Sequence, residues 1–250
     1  MVPYVFTAIV WVIPVQLLFI KSDLSTILYK YALATSPSQL WFLVMLFDVF
    51  VIFGLLSNFF AKYDLLGMIL AAGFFGLGVV GNMLAPNIFS VWTACRYVPL
   101  FWLGFKIRQH GTYWVRRIPV CAWIALDLLL FALAQYLGDT EQMLLKIAKL
   151  GVDFALHVVG AIMIFAVLQK LADKTNWTNS AAFSFLSKRS MVVYLLHQQV
   201  VYFMIHWLNG KVGILLNVAI NFTAAMGISL LAATVLLKFK FTRFLVGERP

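Results

Sequence analysis

Asp48, Arg96, Asp127, Asp153 and His157 are ionisable side chains set inside long apolar runs. Charge at bilayer depth is costly and is kept for function or for pairing. Counting inward from the ends of those runs puts Asp48, Asp127 and His157 near mid-bilayer. Arg96 and Asp153 fall nearer the outer side, at similar depths. Lys149, Asp153 and His157 recur every four residues, which stacks them on one helix face. An imidazole beside a carboxylate is a general acid–base couple, so His157 with Asp153 is the catalytic candidate. Arg96, Asp48 and Asp127 would line a polar cavity, with Arg96 pairing Asp153. The same residues could instead form a salt-bridge and hydrogen-bond network that fixes helix register. His197 and His206 share a later run, and His110 sits solvated in a basic loop. Four histidines without close cysteine or carboxylate spacing give no metal site.

A second chemistry is carried by Lys106, Arg108, Arg116 and Arg117, the densest basic cluster of the chain. Cations at this density attract polyanions, and the phosphates of coenzyme A fit such a cluster. The competing reading is that the cluster only sets membrane orientation.

The elements that must position these groups are transmembrane helices. A helix needs about 20 apolar residues to cross a bilayer. Eight stretches qualify: Pro3–Ile20, Gln39–Phe60, Asp64–Leu84, Phe89–Ile107, Ile118–Leu137, Ile147–Lys170, Ser190–Leu208 and Gly213–Leu237. Of the 19 Lys and Arg residues, 13 fall in one set of alternate loops and tails, five in the other, with Arg96 inside a span. The positive-inside rule makes the rich side cytoplasmic, and an even number of spans puts both termini there. The predicted fold is therefore all-α, a polytopic bundle of about eight spans forming a single domain over residues 1–250. Trp41, Trp92, Trp114 and Trp207 lie near span ends, as interfacial anchors do. The setting that fits best is a bacterial plasma membrane.

With 63% hydrophobic and 11% charged residues in 250, the chain leaves no room for a soluble domain. Its net charge of +10 is read as orientation and attraction to lipid headgroups, not as nucleic-acid binding. Cys95 and Cys121 fall toward opposite ends of neighbouring spans, too far apart for a disulfide. Asn176-Trp177-Thr178 matches a glycosylation sequon but lies in a loop read as cytoplasmic. Five glycines in the third span, from Gly67 to Gly81, predict close helix packing. Pro14 and Pro99 predict kinks. No internal repeat signals an inverted-repeat transporter. Met1-Val2-Pro3-Tyr4 enters the first span without a basic lead-in.

Several segments together resemble the type 3 integral-membrane acyltransferases. Ser38-Gln39-Leu40-Trp41-Phe42-Leu43 is similar to the family's H-L-W-F-L entry to a span, with Gln39 in place of its His. The run from Arg96 through Tyr97, Pro99 and Phe101 to Gly104 resembles its R-Y-x-P-F-F-x-L-G helix. Ser187 to His197, ending Tyr194-Leu195-Leu196-His197, looks like its S-x-x-I-Y-L-L-H segment, a match read here as mainly structural. Val2-Pro3-Tyr4 resembles the I-P-Y of its third helix. The resemblance covers the whole chain in order. It implies transfer of an acyl group, commonly acetyl, from acyl-CoA as co-substrate to a hydroxyl of a cell-envelope glycan or lipid-linked sugar. It implies no permanently bound cofactor. The family commonly has about ten helices, so the resemblance implies two more upstream. It also places a basic residue and a His, the presumed base, near the first helix, and no His precedes His110 here. A transporter or flippase-like protein and a non-catalytic remnant of the family are the alternative readings.

Overall fold

The structure is a computed structural model and describes residues 1–20, 23–35, 37–138, 142–208 and 210–248. Lys21 and Arg249 of the charge count lie outside the described residues, as does the Trp114 side chain. Every regular element among the described residues is helical. Helices satisfy their backbone groups internally, which apolar surroundings demand. Eight are long and apolar enough to cross a membrane. They are α1 (Val2–Phe19), α3 (Trp41–Lys62, entered through a 3-10 turn at Ser38–Leu40), α4 (Asp64–Leu84), α5 (Val91–His110), α7 (Val120–Leu137), α8 (Met143–Thr175), α10 (Ser190–Leu208) and α11 (Ile214–Leu236). Three short helices join them, α2 (Leu24–Ala32), α6 (Tyr113–Arg117) and α9 (Ala181–Ser187), and a fourth, α12 (Lys240–Leu245), follows the last. The predicted all-helical, eight-span fold is what the chain adopts.

The chain forms two compact units, Met1–Pro99 with Phe185–Pro250, and Leu100–Ser184. In the first, α1 is uneven: the wider turns Ala8–Val12 and Gln16–Ile20 flank Pro14. Proline has no N–H to give and crowds the preceding turn, and a π-type turn is one way to absorb that. Trp11 Nε1 donates to the Leu196 carbonyl at 3.2 Å. The Phe19 ring meets Phe203 at 5.4 Å and His206 at 5.6 Å. These contacts lay α1 beside α10 in the same direction, and α10 packs in turn on α11. Gly247, after α12, lies so near Pro3 that a Cβ there would come within 2.8 Å of its ring. The start of α1 and the C-terminal helix thus share one end of the unit. The core between them holds Tyr4, Val12, Leu40, Val44, Val192, Leu195, Ala233 and Val246.

The sequence reads residues 21–38 as an inter-helix loop. The structure instead folds α2 back along α1. Tyr4 Oη donates to the Tyr31 carbonyl at 2.6 Å, and Gln16 Nε2 donates to Tyr31 Oη at 2.8 Å. Burial pushes the Tyr31 phenol above its ordinary pKa. Asp23 caps α2: its carboxylate accepts from the Thr26 amide at 3.2 Å and from the Ser25 hydroxyl.

In the same unit, α4 and α5 approach closely at two glycines. A Cβ on Gly78 would sit 2.5 Å from the Trp92 carbonyl oxygen and 2.7 Å from Arg96 Cγ. One on Gly81 would sit 2.5 Å from Trp92 Cδ2. Gly73 and Gly76 face open space, while Gly67, Ala71, Gly78 and Gly81 are buried, so packing follows one face of α4. Trp92, expected as an interfacial anchor, lays its indole against Gly81.

The second unit is built on the α7–α8 pair. Val115, Trp123, Ile162 and Ala166 form its core, and Trp123 Nε1 donates to the Val115 carbonyl at 3.5 Å. At 33 residues, α8 is about 50 Å long, well beyond the bilayer core of about 30 Å. It stops at Asn176, whose left-handed φ of 52° forms the C-cap. The sequon asparagine is therefore a helix terminator. Cys95 and Cys121 are both free thiols, one buried in the first unit and one exposed in the second.

Candidate functional site

His157 sits in the middle of α8, where the every-four spacing puts it. Its Nδ1–H donates to the Asp153 carbonyl at 2.5 Å. The group that Asp153 offers the ring is thus its backbone oxygen. With Nδ1 so occupied, Nε2 carries the free lone pair, and it points away from the helix's own backbone. The His157 side chain is exposed, while Asp153 is half-buried. Asp127 on α7 approaches from the facing helix: its Oδ1 is 3.1 Å from where a Cβ on Gly160 would be. Gly160 is three residues beyond His157, and positions so spaced are surface neighbours. The missing side chain at Gly160 admits the Asp127 carboxylate within a turn of the imidazole.

The other two intramembrane charges belong to the first unit. Asp48 is half-buried on α3, and its Oδ2 has no hydrogen-bond partner among the described residues. Arg96 lies on α5, its stem against Gly78 and its side chain exposed. Arg96 and Asp153 fall in different units.

The basic loop of the second unit is not uniform. Lys106 is 8% exposed, and its Nζ donates to Gln109 Oε1 at 3.0 Å. Arg108 is exposed. Arg116 meets Asp173 of α8 at 3.4 Å, with both side chains more than half exposed. Arg117 donates to the Tyr113 hydroxyl at 2.9 Å and lies 4.5 Å over its ring. Arg116, Lys170, Gln169 and Asp173 line a cavity of about 180 Å³ beside the loop. Lys170, which sequence reading assigned only to orientation, thereby joins the cluster. No group of three or more potential metal ligands occurs among the described residues.

A polar cluster in the first unit escaped the sequence. Tyr194 Oη donates to the Gln39 carbonyl, and Gln199 Nε2 donates to Gln39 Oε1 at 3.0 Å. Gln39 is 6% and Gln199 1% exposed. Gln39 Nε2 and Gln199 Oε1 have no partner among the described residues. Depth counting sets Gln39 at the outer entrance of a span and Tyr194 near the cytoplasmic end of another. The return of α2 along α1 is what brings them together. Backbone strain gathers in the adjoining turns: Ala34, Ser38, Phe89 and Ser90 all take left-handed φ between 48° and 57°. The Phe89 amide donates to the Leu33 carbonyl at 2.8 Å, and the Ser90 hydroxyl to the Ala34 carbonyl at 3.3 Å, tying the two turns. Gln39 and Tyr194 each stand in a motif of the family resemblance, but nothing in the sequence joined them to each other or to Gln199. His197, by contrast, turns its Nδ1 onto its own helix, at 2.9 Å from the Tyr194 carbonyl.

No curated protein and no solved structure matches the chain. A family profile does: that of an acyltransferase domain, over residues 1–238, a span that takes in all eight long helices and both units. The chain belongs to the acyltransferase-3 family and is a membrane acyltransferase by that membership.

Proposed function

We propose that this protein moves an acyl group, acetyl in the simplest case, from acyl-CoA to a hydroxyl of a cell-envelope glycan or lipid-linked sugar. The family match over residues 1–238 carries the reading. Within it, His157 is the base and Asp127 the carboxylate that steadies the imidazolium, with Asp153 fixing the ring's tautomer through its carbonyl. The acceptor hydroxyl gives its proton to Nε2 as its oxygen attacks the thioester carbonyl. Collapse of the tetrahedral adduct breaks the carbon–sulfur bond, and the imidazolium proton leaves with the CoA thiol. General-base help of this kind contributes roughly 10² to 10⁴-fold.

Arg108, Arg116 and Arg117, with Lys170, supply the positive field for the CoA phosphates, and Lys106 braces the helix that presents them. The membrane is the plasma membrane, and the basic loops face the cytoplasm, where acyl-CoA is found.

The test is release of CoA thiol from acetyl-CoA by the protein reconstituted with envelope glycan. His157→Ala should lower the rate at least a hundredfold and leave membrane insertion unchanged. A fully active variant removes His157 from the mechanism. The exposure of His157 favours a second reading, in which another polypeptide supplies the base and this chain holds the substrates. On that reading His157→Ala changes nothing, while Arg116→Gln still raises KM for acetyl-CoA.

A further inference from the structure

Lys188, Arg189, Lys238 and Arg243, with Thr234 and Glu248, line a cavity of about 760 Å³ at one end of α10 and α11. Two of these cations are held in place. Arg189 Nε donates to Thr234 Oγ1 at 3.1 Å and Nη1 to the Phe185 carbonyl at 3.1 Å, with its guanidinium 3.7 Å above the Phe185 ring. Arg243 Nε donates to the Leu237 carbonyl at 2.6 Å. Four cations against one carboxylate leave a field that favours an anion, and anchored guanidiniums lose little freedom in binding phosphate.

Along α10 the stripe that begins with Arg189 continues through Val192, Leu196 and Val200 into an apolar groove of about 420 Å³. Trp11 of α1 and Val235 of α11 line it too. Its walls are largely hydrocarbon; the hydroxyls among them are those of Thr7 and Ser229. Ser229 is 0% exposed, and its Oγ has no hydrogen-bond partner among the described residues. Ser229 lies five residues before Thr234 on α11, so about 7.5 Å below the Arg189 anchor along the helix axis.

We infer that this cavity and groove bind one anionic glycerophospholipid. Its phosphate sits among Lys188, Arg189 and Lys238, and one chain lies in the groove with its ester carbonyl accepting from the Ser229 hydroxyl. The spacing selects the ligand. In a glycerophospholipid the ester carbonyl is a few bonds from the phosphate, whereas in acyl-CoA the whole pantetheine arm separates thioester from diphosphate. Basic pockets between membrane helices are suited to acidic headgroups.

The test uses the full chain in mild detergent, with phosphatidylglycerol, phosphatidylcholine or palmitoyl-CoA added and retention read by native mass spectrometry. Phosphatidylglycerol should be retained over phosphatidylcholine. The double variant K188Q/K238Q should weaken it roughly tenfold to thirtyfold. Ser229→Ala should weaken it about threefold to tenfold, the size of one hydrogen bond. Thermal unfolding of each variant must match the parent, so that loss of fold is not read as loss of lipid. Equal retention of the two phospholipids, or insensitivity to both variants, overturns the assignment. Displacement by equimolar palmitoyl-CoA assigns the site to acyl-CoA instead. Copper-driven cross-linking between copies of Trp11→Cys, with no lipid retained, assigns the groove to a protein segment.

Discussion

An imidazole held through Nδ1 by the carbonyl four residues back has only Nε2 left for chemistry. His157 is such a group, and Gly160, three residues on, leaves the gap that admits the Asp127 carboxylate from the facing helix. The every-four spacing in the sequence located His157. The spacing could not show that Asp153 would offer its backbone oxygen, because that depends on the rotamer and not on the register. Gln39, Tyr194 and Gln199 were illegible for a different reason: their meeting requires α2 to turn back, and nothing local encodes that. Two caps permit direct tests at this scale. Asn176 ends α8 with φ of 52°, a conformation that penalises a Cβ except where a short polar side chain can bond locally. Asn179 Nδ2 donates to Asn176 Oδ1 at 2.7 Å. Asn176→Ala should cost about 1 kcal/mol and fray the last turn, whereas Asn176→Gly should be near neutral. Thermal unfolding and amide exchange over the end of α8 read both. At Asp23, the Ser25 hydroxyl and the Thr26 amide hold the carboxyl below the usual carboxylate range. Its folded pKa is depressed, so the cap is fully present above the unfolded value. It is lost as pH falls from the usual carboxylate range through the lower folded pKa. Amide protection in α2 should decline over that interval, and Asp23→Ala should abolish the dependence.

All eight long helices were legible as elements, because an apolar run of bilayer length has few other fates. Their ends agree with the sequence to within a few residues, apart from α8, which runs on at its start through Met143-Leu144-Leu145-Lys146 and at its end as far as Thr175. The short helices α2 and α9 were not legible, being below the length at which periodicity speaks. Glycines in α4 were readable as a packing surface, but not which of them pack. The structure separates them. Gly81→Ala would drive a methyl into the Trp92 indole and should cost about 1–3 kcal/mol through forced displacement of α5. Gly73→Ala meets nothing within 4 Å and should instead gain up to about 1 kcal/mol from helix propensity. Unfolding midpoints of the two variants in detergent should therefore move in opposite directions. Equal losses at both positions would mean that α4 packs on more than one face.

At the scale of the molecule, family membership and an eight-span helical chain establish a membrane acyltransferase, and the resemblance already visible in four short motifs pointed there. The proposed chemistry rests on the second unit, where Asp127 of α7 lies against Gly160 of α8, three residues beyond His157. The first unit holds the apolar groove between α1, α10 and α11 to which the lipid is assigned. The most direct measurement supplies acetyl-CoA labelled in the acetyl carbonyl to the purified, reconstituted chain with envelope glycan inside or outside the vesicles. Label should become covalently attached to glycan hydroxyls as an alkali-labile ester, with one CoA thiol released per acetyl and both signals lost in His157→Ala. Label or glycan crossing the membrane without ester formation would contradict it and mark the protein as a transporter.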